Sequence, residues 1–544
     1  MTDSLQTPDE QDVARPAFTV PTLLTTPTHV RRHSVPERGV NTIPQSDIQV
    51  GRFGRMFRNL PLFAHDEADL IPLANKMVAP PEDPGNVPAD TDNPSANPDL
   101  PAGYTYLGQF LDHDITFDPV SSLVRQNDPD ALFNFRTPRL DLDSLYGRGP
   151  ADDPFLYRHD DQPVPHPSLP GADLRGIWFR LGEFVADPSA PEGGPDLPRD
   201  QPRTDADGND IFAGRALIGD PRNDENLIVS QLHGVFLKFH NKVVEQVAST
   251  TPLRDENLFK EAQRLVRWHY QWVIVHDFLA RIVGQDVVDD VLPTETFRVG
   301  GTNGGHDVAI RRPRLLFYRP VPGQPPFLPV EFSVACYRFG HSMIRPSYLF
   351  NNIVPRTPTF VAQPGSEFES LNGFRRLPGS WGFDWKFFFE VEAGFTPQRA
   401  FKIDAQLANP LNDLPATIAA NPSSLPQRNL RRGLLLGVPG GQVVSRAMGI
   451  PPLGAVALDI TDVADDLQFD TPLWYYILKE AELQCDGKKL GPVGGRIVAE
   501  VIVGLVAHDP LSYFNVDPAF TPEQPFTDTP GEFTMAHLIR FATS

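Results

Sequence analysis

The sequence predicts a mainly α fold with long proline-rich loops and few, short strands. Apolar residues recur at three- and four-residue spacing in several segments, which is the periodicity of a helix with one buried face. The 58 prolines among 544 residues rule out long uninterrupted helices over much of the chain and imply many ordered loops. With 40% hydrophobic residues, a chain of this length can bury a large core.

Two regions are predicted along the chain. Residues 1–50 are polar and rich in proline and threonine, which predicts an extended arm that wraps the body or stays loose. Residues 51–544 are predicted to form one large domain. Within that domain, composition predicts loops over residues 79–101, 186–210 and 319–329.

Helices are predicted where the apolar spacing is sustained. The first lies within "YTYLGQFLDHDITFDP", residues 104–119, and the next two cover residues 227–248 and 257–284, the latter stopping at Gly284. Residues 328–344 continue the pattern, as do the segments "LWYYILKEAELQCDGKK" and "GGRIVAEVIVGLVAHD". Alternating strand patterns are few and short.

Charge and cysteine content exclude several classes of protein. The net charge of −21 argues against nucleic-acid binding, which needs a basic surface. The two cysteines, Cys336 and Cys485, cannot build a disulfide framework. No apolar window of about 18 residues predicts a membrane span, and no signal-peptide pattern is seen, so a cytoplasmic location is expected, with unconventional export left open.

The first helix places a histidine between two acids. Successive helical residues point about 100° apart, so Asp112 and Asp114 flank His113 on opposite sides, and Gln109 shares the face of the histidine. A solvated charged turn is the bland alternative. Two other histidines, His233 and His240, share a helix face that could bind a metal, but packing is the better interpretation for them.

Other polar residues stand out against apolar surroundings. In "GDPRNDENLIVSQLHG", Arg222 and Glu225 are three apart and share a face if the segment is helical. His341 lies in the apolar helix around "YRFGHSMIRP", and Asn429 lies among arginines in "LPQRNLRRGLLLGVP". The segment "RTPRLDLDSLYG" offers oxygen ligands at alternate positions, although its proline favours a loop over a central strand; these positions are Thr137, Arg139, Asp141 and Asp143.

Five of these segments resemble the animal-type haem peroxidase family, within the peroxidase-cyclooxygenase superfamily. They are "GQFLDHDITF", "TPRLDLDSLYG", "DPRNDENLIVSQLHGVFLKFHN", "YRFGHSMIRP" and "LPQRNLRRGLLLGVP", in family order, and the similarity runs from about residue 60 to about residue 520. The low cysteine content is similar to that of bacterial members without disulfides. The resemblance implies a single haem peroxidase domain over residues 51–544 that binds haem b.

The resemblance also implies roles on the peroxide side of the haem. His113 matches the distal base and Arg222 the distal arginine, with Gln109 beside them as a third catalytic candidate. Asp112 and Glu225 match the two carboxylates that can form ester links to the haem.

On the opposite side of the haem, His341 matches the proximal iron ligand. Asn429 matches the residue that accepts the other ring N–H of that histidine, which fixes its tautomer. Arg338 and Arg432 are candidates for binding the haem propionates.

A calcium ion is implied next to the distal helix. Asp114 matches one calcium ligand, and the loop would supply the others: Thr137, the carbonyl of Arg139, Asp141 and Asp143. Calcium takes six to eight oxygen ligands in a flexible arrangement, which such a set can provide. A solvated acidic loop is the alternative reading.

The resemblance implies that hydrogen peroxide is reduced and that a ferryl and porphyrin-radical intermediate oxidises halides, thiocyanate or phenols. Asn226 stands where the strongest chloride-oxidising member has a haem-linked methionine, so chloride should be a poor donor. The alternatives are a catalytically silent scaffold and, less favoured, a fatty-acid oxygenase. In that branch a radical tyrosine lies three residues before the proximal histidine, whereas this chain has Arg338 there and Tyr337 one position earlier. The sequence leaves the oligomeric state open.

Overall fold

A computed structural model gives the structure of the protein. It describes residues 51–83, 87–117, 133–184, 196–200, 203–204, 210–212, 214–299, 306–321, 325–361, 368–416, 418–419 and 421–544. The predicted N-terminal arm, residues 1–50, lies outside the described residues. No helix in the described part of the chain is both long and apolar enough to cross a membrane.

Helices dominate the described residues, as the sequence predicts. In chain order, α1 to α15 are Glu67–Lys76, Gly103–Ile115, Asp143–Tyr146, Leu227–Thr250, Asp255–Val273, Leu279–Val283, Gln285–Val291, Val330–Ser333, Leu425–Leu435, Gly441–Ala447, Ala455–Leu458, Leu473–Cys485, Pro492–His508, Tyr513–Val516 and Met535–Thr543.

The strands are short and form small separate sheets. In chain order, β1 to β11 are Gly51–Gly54, Ala96–Pro101, Phe133–Asn134, Arg203–Thr204, Asp210–Phe212, Thr294–Val299, His306–Arg311, Leu328–Pro329, Ser347–Tyr348, Thr357–Pro358 and Arg399–Phe401. β1 pairs antiparallel with β3 and parallel with β8, whereas the pairs β2–β11, β4–β5, β6–β7 and β9–β10 are antiparallel. All three predicted loops therefore contain strand residues: β2 lies within residues 79–101, β4 and the first residue of β5 within residues 186–210, and β8 within residues 319–329.

Helix α2 packs against α4 and touches α5 through an aromatic cluster. Phe110 of α2 stacks on Phe236 of α4 at 4.5 Å between ring centroids, and both rings meet the edge of Tyr270 from α5. Stacked and edge-to-face aromatic pairs stabilise such a contact beyond the area that they bury. Gly103 begins α2 where a Cβ atom would lie 2.7 Å from the Phe388 carbonyl, so only glycine fits.

Strand β3 holds the end of α2. The Asn134 side chain donates to the Ile115 carbonyl at 2.7 Å and accepts the Phe117 N–H at 2.8 Å. These two hydrogen bonds end the helix and satisfy its terminal polar groups. They also bring the loop that follows β3 against the far side of α2.

Helix α4 begins at Leu227, as the sequence predicts, so Arg222 and Glu225 precede it. Asn226 caps it by accepting the Val229 N–H at 3.0 Å, and the preceding residues Pro221–Asp224 form a 3-10 turn capped by Asp220. Arg222 and Glu225 therefore lie in and just after this turn and not on an α-helix. Proline at the first position of the turn, and the separate side-chain caps Asp220 and Asn226, explain why the 3-10 turn and α4 are two elements.

The predicted helix at residues 257–284 contains an irregular turn. α5 ends at Val273, residues Ile274–Phe278 form a π-turn, and α6 continues to Val283. Gly284 stops the helix with φ of 94°, which a residue with a side chain rarely adopts. The stop was predicted correctly, and the π-turn re-aims the residues that follow it.

The prediction of a continuous helix at residues 328–344 is wrong. The segment contains β8, the four-residue α8 and a 3-10 helix, Cys336–His341. Ala335 breaks the helical path with φ of −127° and ψ of −80°. The apolar spacing arises because nearly every side chain in this segment is buried, so periodicity cannot separate a helix from a compact irregular segment.

Candidate functional site

A cleft gathers six of the nine residues that the sequence predicts for the haem site. It spans about 890 Å³ when the space open to solvent is included, and its polar lining includes Gln109, Asp112 and His113 of α2, Glu225 after the 3-10 turn, and His341. Apolar side chains from distant segments form much of the remaining lining: Phe278, Phe339, Met343, Ile344, Phe360, Leu411, Leu414, Ile418 and Leu425. A large, mostly apolar cleft with a few convergent polar groups is typical of a cofactor site.

His113 is buried in the cleft wall. Its Nδ1 lies 2.8 Å from Asn223 Oδ1, and its Nε2 lies 3.7 Å from Glu225 Oε1. Burial, and then the charge of Arg222, lower the pKa of His113, although Glu225 and Asp220 oppose the shift. His113 is therefore a neutral imidazole near pH 7 and can accept a proton.

Arg222 is not among the residues that line the cleft. Its Nη2 donates to the His113 carbonyl at 2.8 Å and to Asp220 Oδ2 at 2.7 Å, and its guanidinium lies 4.4 Å from the Phe117 ring centre. Burial alone would raise the pKa of Asp220, but Arg222 and Arg136 hold it well below the usual range. The structure thus places the predicted distal arginine in contact with the backbone of the base.

Amide side chains fix the orientation of the groups near His113. Asn226 accepts the Val229 N–H, so its Nδ2 is the atom that donates to Gln109 Oε1 at 2.9 Å. Gln109 in turn donates through Nε2 to Glu225 Oε1 at 2.9 Å. Each hydrogen bond fixes which end of the next amide is the donor. Glu225 is therefore held as a hydrogen-bond acceptor beside His113.

Asp112 faces the cleft beside Arg338. Arg338 Nη1 lies 3.8 Å from Asp112 Oδ2, and the Thr116 hydroxyl donates to Oδ1 at 3.1 Å. Burial alone would raise the pKa of Asp112, but Arg338, His113 and Arg222 outweigh it and lower the pKa. The carboxylate is therefore ionised at neutral pH.

His341 reaches the cleft from the 3-10 helix and meets Asn429 of α9. His341 Nδ1 lies 2.7 Å from Asn429 Nδ2. Metal binding through Nε2 requires Nδ1 to carry the proton and hence the amide oxygen to face it, which a 180° turn of the amide provides. Arg432, also on α9, is half-buried and is not among the lining residues.

The predicted cation ligands converge on the other side of α2. Carboxylate oxygens of Asp114, Asp141 and Asp143 lie within 4.8 Å of one another, and all three residues are buried. The Thr137 hydroxyl donates to Asp141 Oδ2 at 2.8 Å. Arg139 donates its backbone N–H to the Thr137 carbonyl, and its guanidinium lies 3.9 Å from Asp509.

The three buried carboxylates repel one another when they are ionised. Burial and the neighbouring Asp141 raise the pKa of Asp114 to about 7, and burial raises that of Asp143 although Arg136 Nη1 lies 3.3 Å from it. Buried like charges are costly unless a cation or protons neutralise them. The cluster is chemically suited to a hard cation such as calcium.

Several residues of the site escaped the sequence reading. Asn223 and Asp220 hold the base and the arginine, and Ser144 donates its hydroxyl to Asp114 at 3.0 Å. Asn223 and Asp220 both lie beside Arg222 in the quoted motif; Asp220 binds Arg222 two residues away, whereas the His113 partner of Asn223 is remote in sequence. His233 and His240 are packed, as predicted: His240 contacts the Tyr146 hydroxyl and the Ile177 carbonyl, and His233 contacts Asn223.

Comparison with known proteins places these observations in a family. The family described as animal haem peroxidase matches residues 174–439. That range includes Arg222, Glu225, His341 and Asn429, whereas α2 precedes it.

Curated relatives match over a shorter stretch. The peroxidase-like protein of Margaritifera margaritifera is 32% identical over 131 residues, which cover 23% of this chain and 14% of that protein. The chorion peroxidase of Aedes aegypti is 26% identical over 133 residues, 24% of this chain and 15% of the relative. Dual oxidase 1 of Caenorhabditis elegans is 27% identical over 135 residues, 24% of this chain and 7% of the relative.

Solved structures resemble nearly the whole chain. Peroxidase A of Dictyostelium discoideum has a TM-score of 0.57 at 15% identity, covering 92% of this chain and 93% of that one. A fatty acid alpha-dioxygenase of Arabidopsis thaliana has a TM-score of 0.52 at 14% identity, covering 89% of this chain and 78% of that one. At such identities the likeness concerns the fold, which peroxidases and dioxygenases share.

Proposed function

The chain belongs to the animal haem peroxidase family, and from that premise we propose that it reduces hydrogen peroxide and oxidises a small donor. One observation carries the proposal. The same cleft is lined by His113, a buried histidine held neutral, and by His341, a second histidine paired with an amide. This is the pairing that a haem peroxidase needs, namely a base for peroxide and a ligand for iron.

The cleft lining fits haem b. Apolar side chains from several segments suit the faces of a porphyrin, and His341 can present Nε2 to iron once Asn429 accepts its Nδ1–H. Arg338 supplies a cation at the cleft surface for an anionic propionate, a role that competes with its present contact to Asp112. When bound, haem would supply the iron that binds peroxide and stores the oxidising equivalents.

The residues of the chain would manage the proton. Nε2 of His113 accepts a proton from peroxide and returns it to the departing oxygen, a form of acid–base help worth roughly 10²- to 10⁴-fold. Arg222 adds positive charge next to the base and orients it through its carbonyl. Gln109, fixed by Asn226 and Glu225, holds a hydrogen-bonding amide in the same cleft wall.

The donor is proposed to be iodide, bromide, thiocyanate or a phenol. Asn226 offers an amide where a thioether would be needed for a third link to haem. Its amide is already engaged by Val229 and Gln109. Chloride, the hardest of these halides to oxidise, is therefore expected to be a poor donor.

Two ester links to haem are proposed, through Asp112 and Glu225. Each carboxylate oxygen would bond to a methyl carbon as one of its C–H bonds breaks, and one hydrogen peroxide per link would take up the two electrons and be reduced to water. Both carboxylates line the cleft and come from different segments, so they can reach different edges of one flat ligand. Asp112 is ionised and available as a nucleophile, because Arg338 and its other charged neighbours lower its pKa despite burial.

Calcium is proposed as the ion of the Asp114, Asp141 and Asp143 cluster. The support is the buried set of hard oxygen ligands and the Thr137 hydroxyl beside them. Because Asp114 directly follows His113, an ion at this cluster would fix the helix that carries the base.

Two rival functions remain distinguishable. A silent scaffold needs none of the cleft chemistry, whereas here His113, Arg222 and His341 are all present and hydrogen-bonded. A fatty-acid oxygenase shares the fold, but Arg338 occupies the position of its tyrosine, and the Tyr337 hydroxyl donates to the Gly108 carbonyl at 3.1 Å.

The deciding experiment is spectroscopic. Purified protein should show a Soret band that shifts on addition of peroxide and recovers on addition of bromide or a phenol. Absence of a Soret band would contradict haem binding. A Soret band that does not shift on addition of peroxide would favour the catalytically silent scaffold. Oxygen uptake with a fatty acid and no peroxide would favour the oxygenase.

A further inference from the structure

A buried asparagine joins two histidines next to the cleft. Asn223 is fully buried; its Oδ1 lies 2.8 Å from His113 Nδ1, and its Nδ2 lies 3.0 Å from His233 Nδ1. His233 on α4 is also fully buried, and it is not among the residues that line the cleft. The three side chains therefore form one hydrogen-bonded line from the core to the base.

The two ends of an amide have opposite hydrogen-bonding roles. The amide oxygen only accepts and the amide nitrogen only donates. The histidine that faces the oxygen must therefore carry a proton on Nδ1, and the histidine that faces the nitrogen must have a lone pair there. In the observed orientation, His113 Nδ1–H donates to Asn223 Oδ1, and Asn223 Nδ2–H donates to the lone pair of His233 Nδ1. This leaves a lone pair on His113 Nε2, the ring nitrogen that lies 3.7 Å from Glu225 in the cleft.

Turning the amide by 180° would reverse the whole line. His233 Nδ1–H would then donate to Asn223 Oδ1, and Asn223 Nδ2–H would donate to His113 Nδ1. His113 would carry its proton on Nε2 and could accept no proton from peroxide. The tautomers of the two histidines are thus linked through one amide.

The surroundings hold Asn223 in place between the rings. Its backbone N–H donates to the Asp220 carbonyl at 3.0 Å within the 3-10 turn, and the neighbouring Arg222 donates to the His113 carbonyl at 2.8 Å. His233 packs edge-on against Phe110, with ring centroids 6.0 Å apart. Burial lowers the pKa of His233 to about 3, so it stays neutral and carries a single ring proton.

We propose that Asn223 and His233 are positioning residues that select the tautomer of His113 able to accept the peroxide proton. The proposal rests on the proposed peroxidase function. The proton that leaves peroxide moves to His113 Nε2 and returns to the departing oxygen, while Asn223 and His233 neither gain nor lose one.

The test compares two near-isosteric variants of Asn223. Asn223→Asp keeps an oxygen that accepts from His113 Nδ1, whereas Asn223→Leu removes it. In the haem-loaded protein, we expect the rate constant for reaction with peroxide to fall about 100-fold or more in Asn223→Leu and to stay within about tenfold of wild type in Asn223→Asp. His233→Leu, which frees the amide to turn, should lower the rate about tenfold.

Asn241→Leu is the matched control for loss of a buried asparagine. Asn241 lies on α4, accepts the Phe179 N–H at 2.8 Å and donates to its carbonyl at 3.0 Å, away from the cleft lining. It should lose stability and keep the wild-type rate with peroxide. Wild-type rates in Asn223→Leu, or equal losses in the Leu and Asp variants, would overturn the proposal.

Two further measurements separate this proposal from the proposed function. When haem binds cyanide, HCN gives its proton to a base, and no catalytic turnover is involved. The association rate constant of cyanide should therefore rank the variants in the same order as the rate constant for peroxide. The second measurement uses protein labelled with ¹⁵N-histidine; if haem is bound, its carbon monoxide complex is used because it is diamagnetic. Long-range ¹H–¹⁵N spectra show which ring nitrogen carries the proton. The His113→Ala variant identifies the signals of His113. Protonation of His113 at Nε2 in wild type would overturn the proposal even if the protein is an active peroxidase.

Discussion

Asp112, His113 and Asp114 are consecutive on one helix and have three different surroundings. Asp112 lies at the cleft beside Arg338, His113 lies in the cleft wall against Asn223, and Asp114 joins the buried carboxylate cluster on the far side. The helical rotation of about 100° per residue accounts for this division. The different directions of these three side chains could be predicted from the sequence, because they depend only on the local geometry of a helix.

The role of His113 is tested by its removal. His113→Ala should keep the Soret band and lower the rate of reaction with peroxide by roughly 10²- to 10⁴-fold, because the proton acceptor is lost while the iron ligand is intact. Arg222→Ala should also lower the rate, because the carbonyl of the base loses its donor. His508→Ala is the control: His508 bonds to the Gly504 carbonyl in its own helix, is not among the cleft residues, and its removal should leave the rate unchanged. A normal rate in His113→Ala would remove it from the mechanism.

The proposed ester links predict how tightly haem is retained. Acid–acetone extraction of the wild-type protein should leave colour with the polypeptide, and Glu225→Gln should release a part of it. Glutamine keeps an acceptor for Gln109 Nε2, so the variant tests the covalent bond and not the hydrogen bond. Full extraction of haem from wild type would show that no link forms.

At the scale of elements, α2 acts as a partition between two sites. It packs on α4 through the Phe110–Phe236 stack and is ended by Asn134 of β3, which also starts the loop that carries the cation ligands. A shift of α2 would therefore move the base and the cluster together. This coupling follows from packing and needs no direct contact between the two ligands.

Calcium removal is expected to weaken this part of the fold. The metal content should be about one ion per chain, and a chelator should lower the melting temperature, since an ion at 100 times its Kd stabilises the folded state by about 2.7 kcal/mol. Asp141→Asn should lose calcium, whereas Asp153→Asn, which alters an acid paired with Arg148 outside the cluster, should retain it. Equal melting temperatures with and without chelator would contradict a calcium site.

The contact between α12 and α13 predicts a pH-dependent contribution to stability. Glu480 is buried and accepts the N–H groups of Val493 and Gly494, and burial raises its pKa to about 7 despite these bonds. A carboxyl whose folded pKa exceeds its unfolded value of 4.5 stabilises the protein below pH 4.5 and loses that contribution as pH rises to about 7.

Glu480→Gln removes this titration and keeps an acceptor oxygen. The stability of the variant relative to wild type should therefore rise with pH by up to about 1.4 kcal/mol per pH unit between those limits. Urea unfolding at pH 5 and pH 8 measures the difference. A constant difference at both values would show that the Glu480 pKa is close to its unfolded value.

At the scale of the whole molecule, the cleft is assembled from segments spread over about 320 residues of the chain, between positions 104 and 425. Its lining runs from Tyr104 of α2 to Leu425 of α9, and each segment contributes only a few side chains. Haem should therefore link these segments when bound, because its binding energy is added only to the folded state.

His341→Ala tests the assembly as a whole. The variant should lose the Soret band and melt close to the temperature of haem-free wild type, because the iron ligand is lost while the apolar cleft remains. Trp474→Phe offers a control near the same ring, with centroids 6.4 Å apart, and should keep haem. A normal Soret band in His341→Ala would assign iron to another ligand.

The sequence by itself determined the helical class, the limits of α4, α12 and α13 to within a few residues, the stop at Gly284, and the charged residues, histidines and glutamine of the cleft lining. These depend on spacing along the chain, which the sequence displays directly. Only the tertiary structure decided that residues 328–344 form no continuous helix, that Arg222 lies outside the cleft lining, and that Asn223 bridges His113 and His233. Each depends on partners far away in the chain, and hydrogen-bond geometry between such partners is settled by packing and not by local spacing.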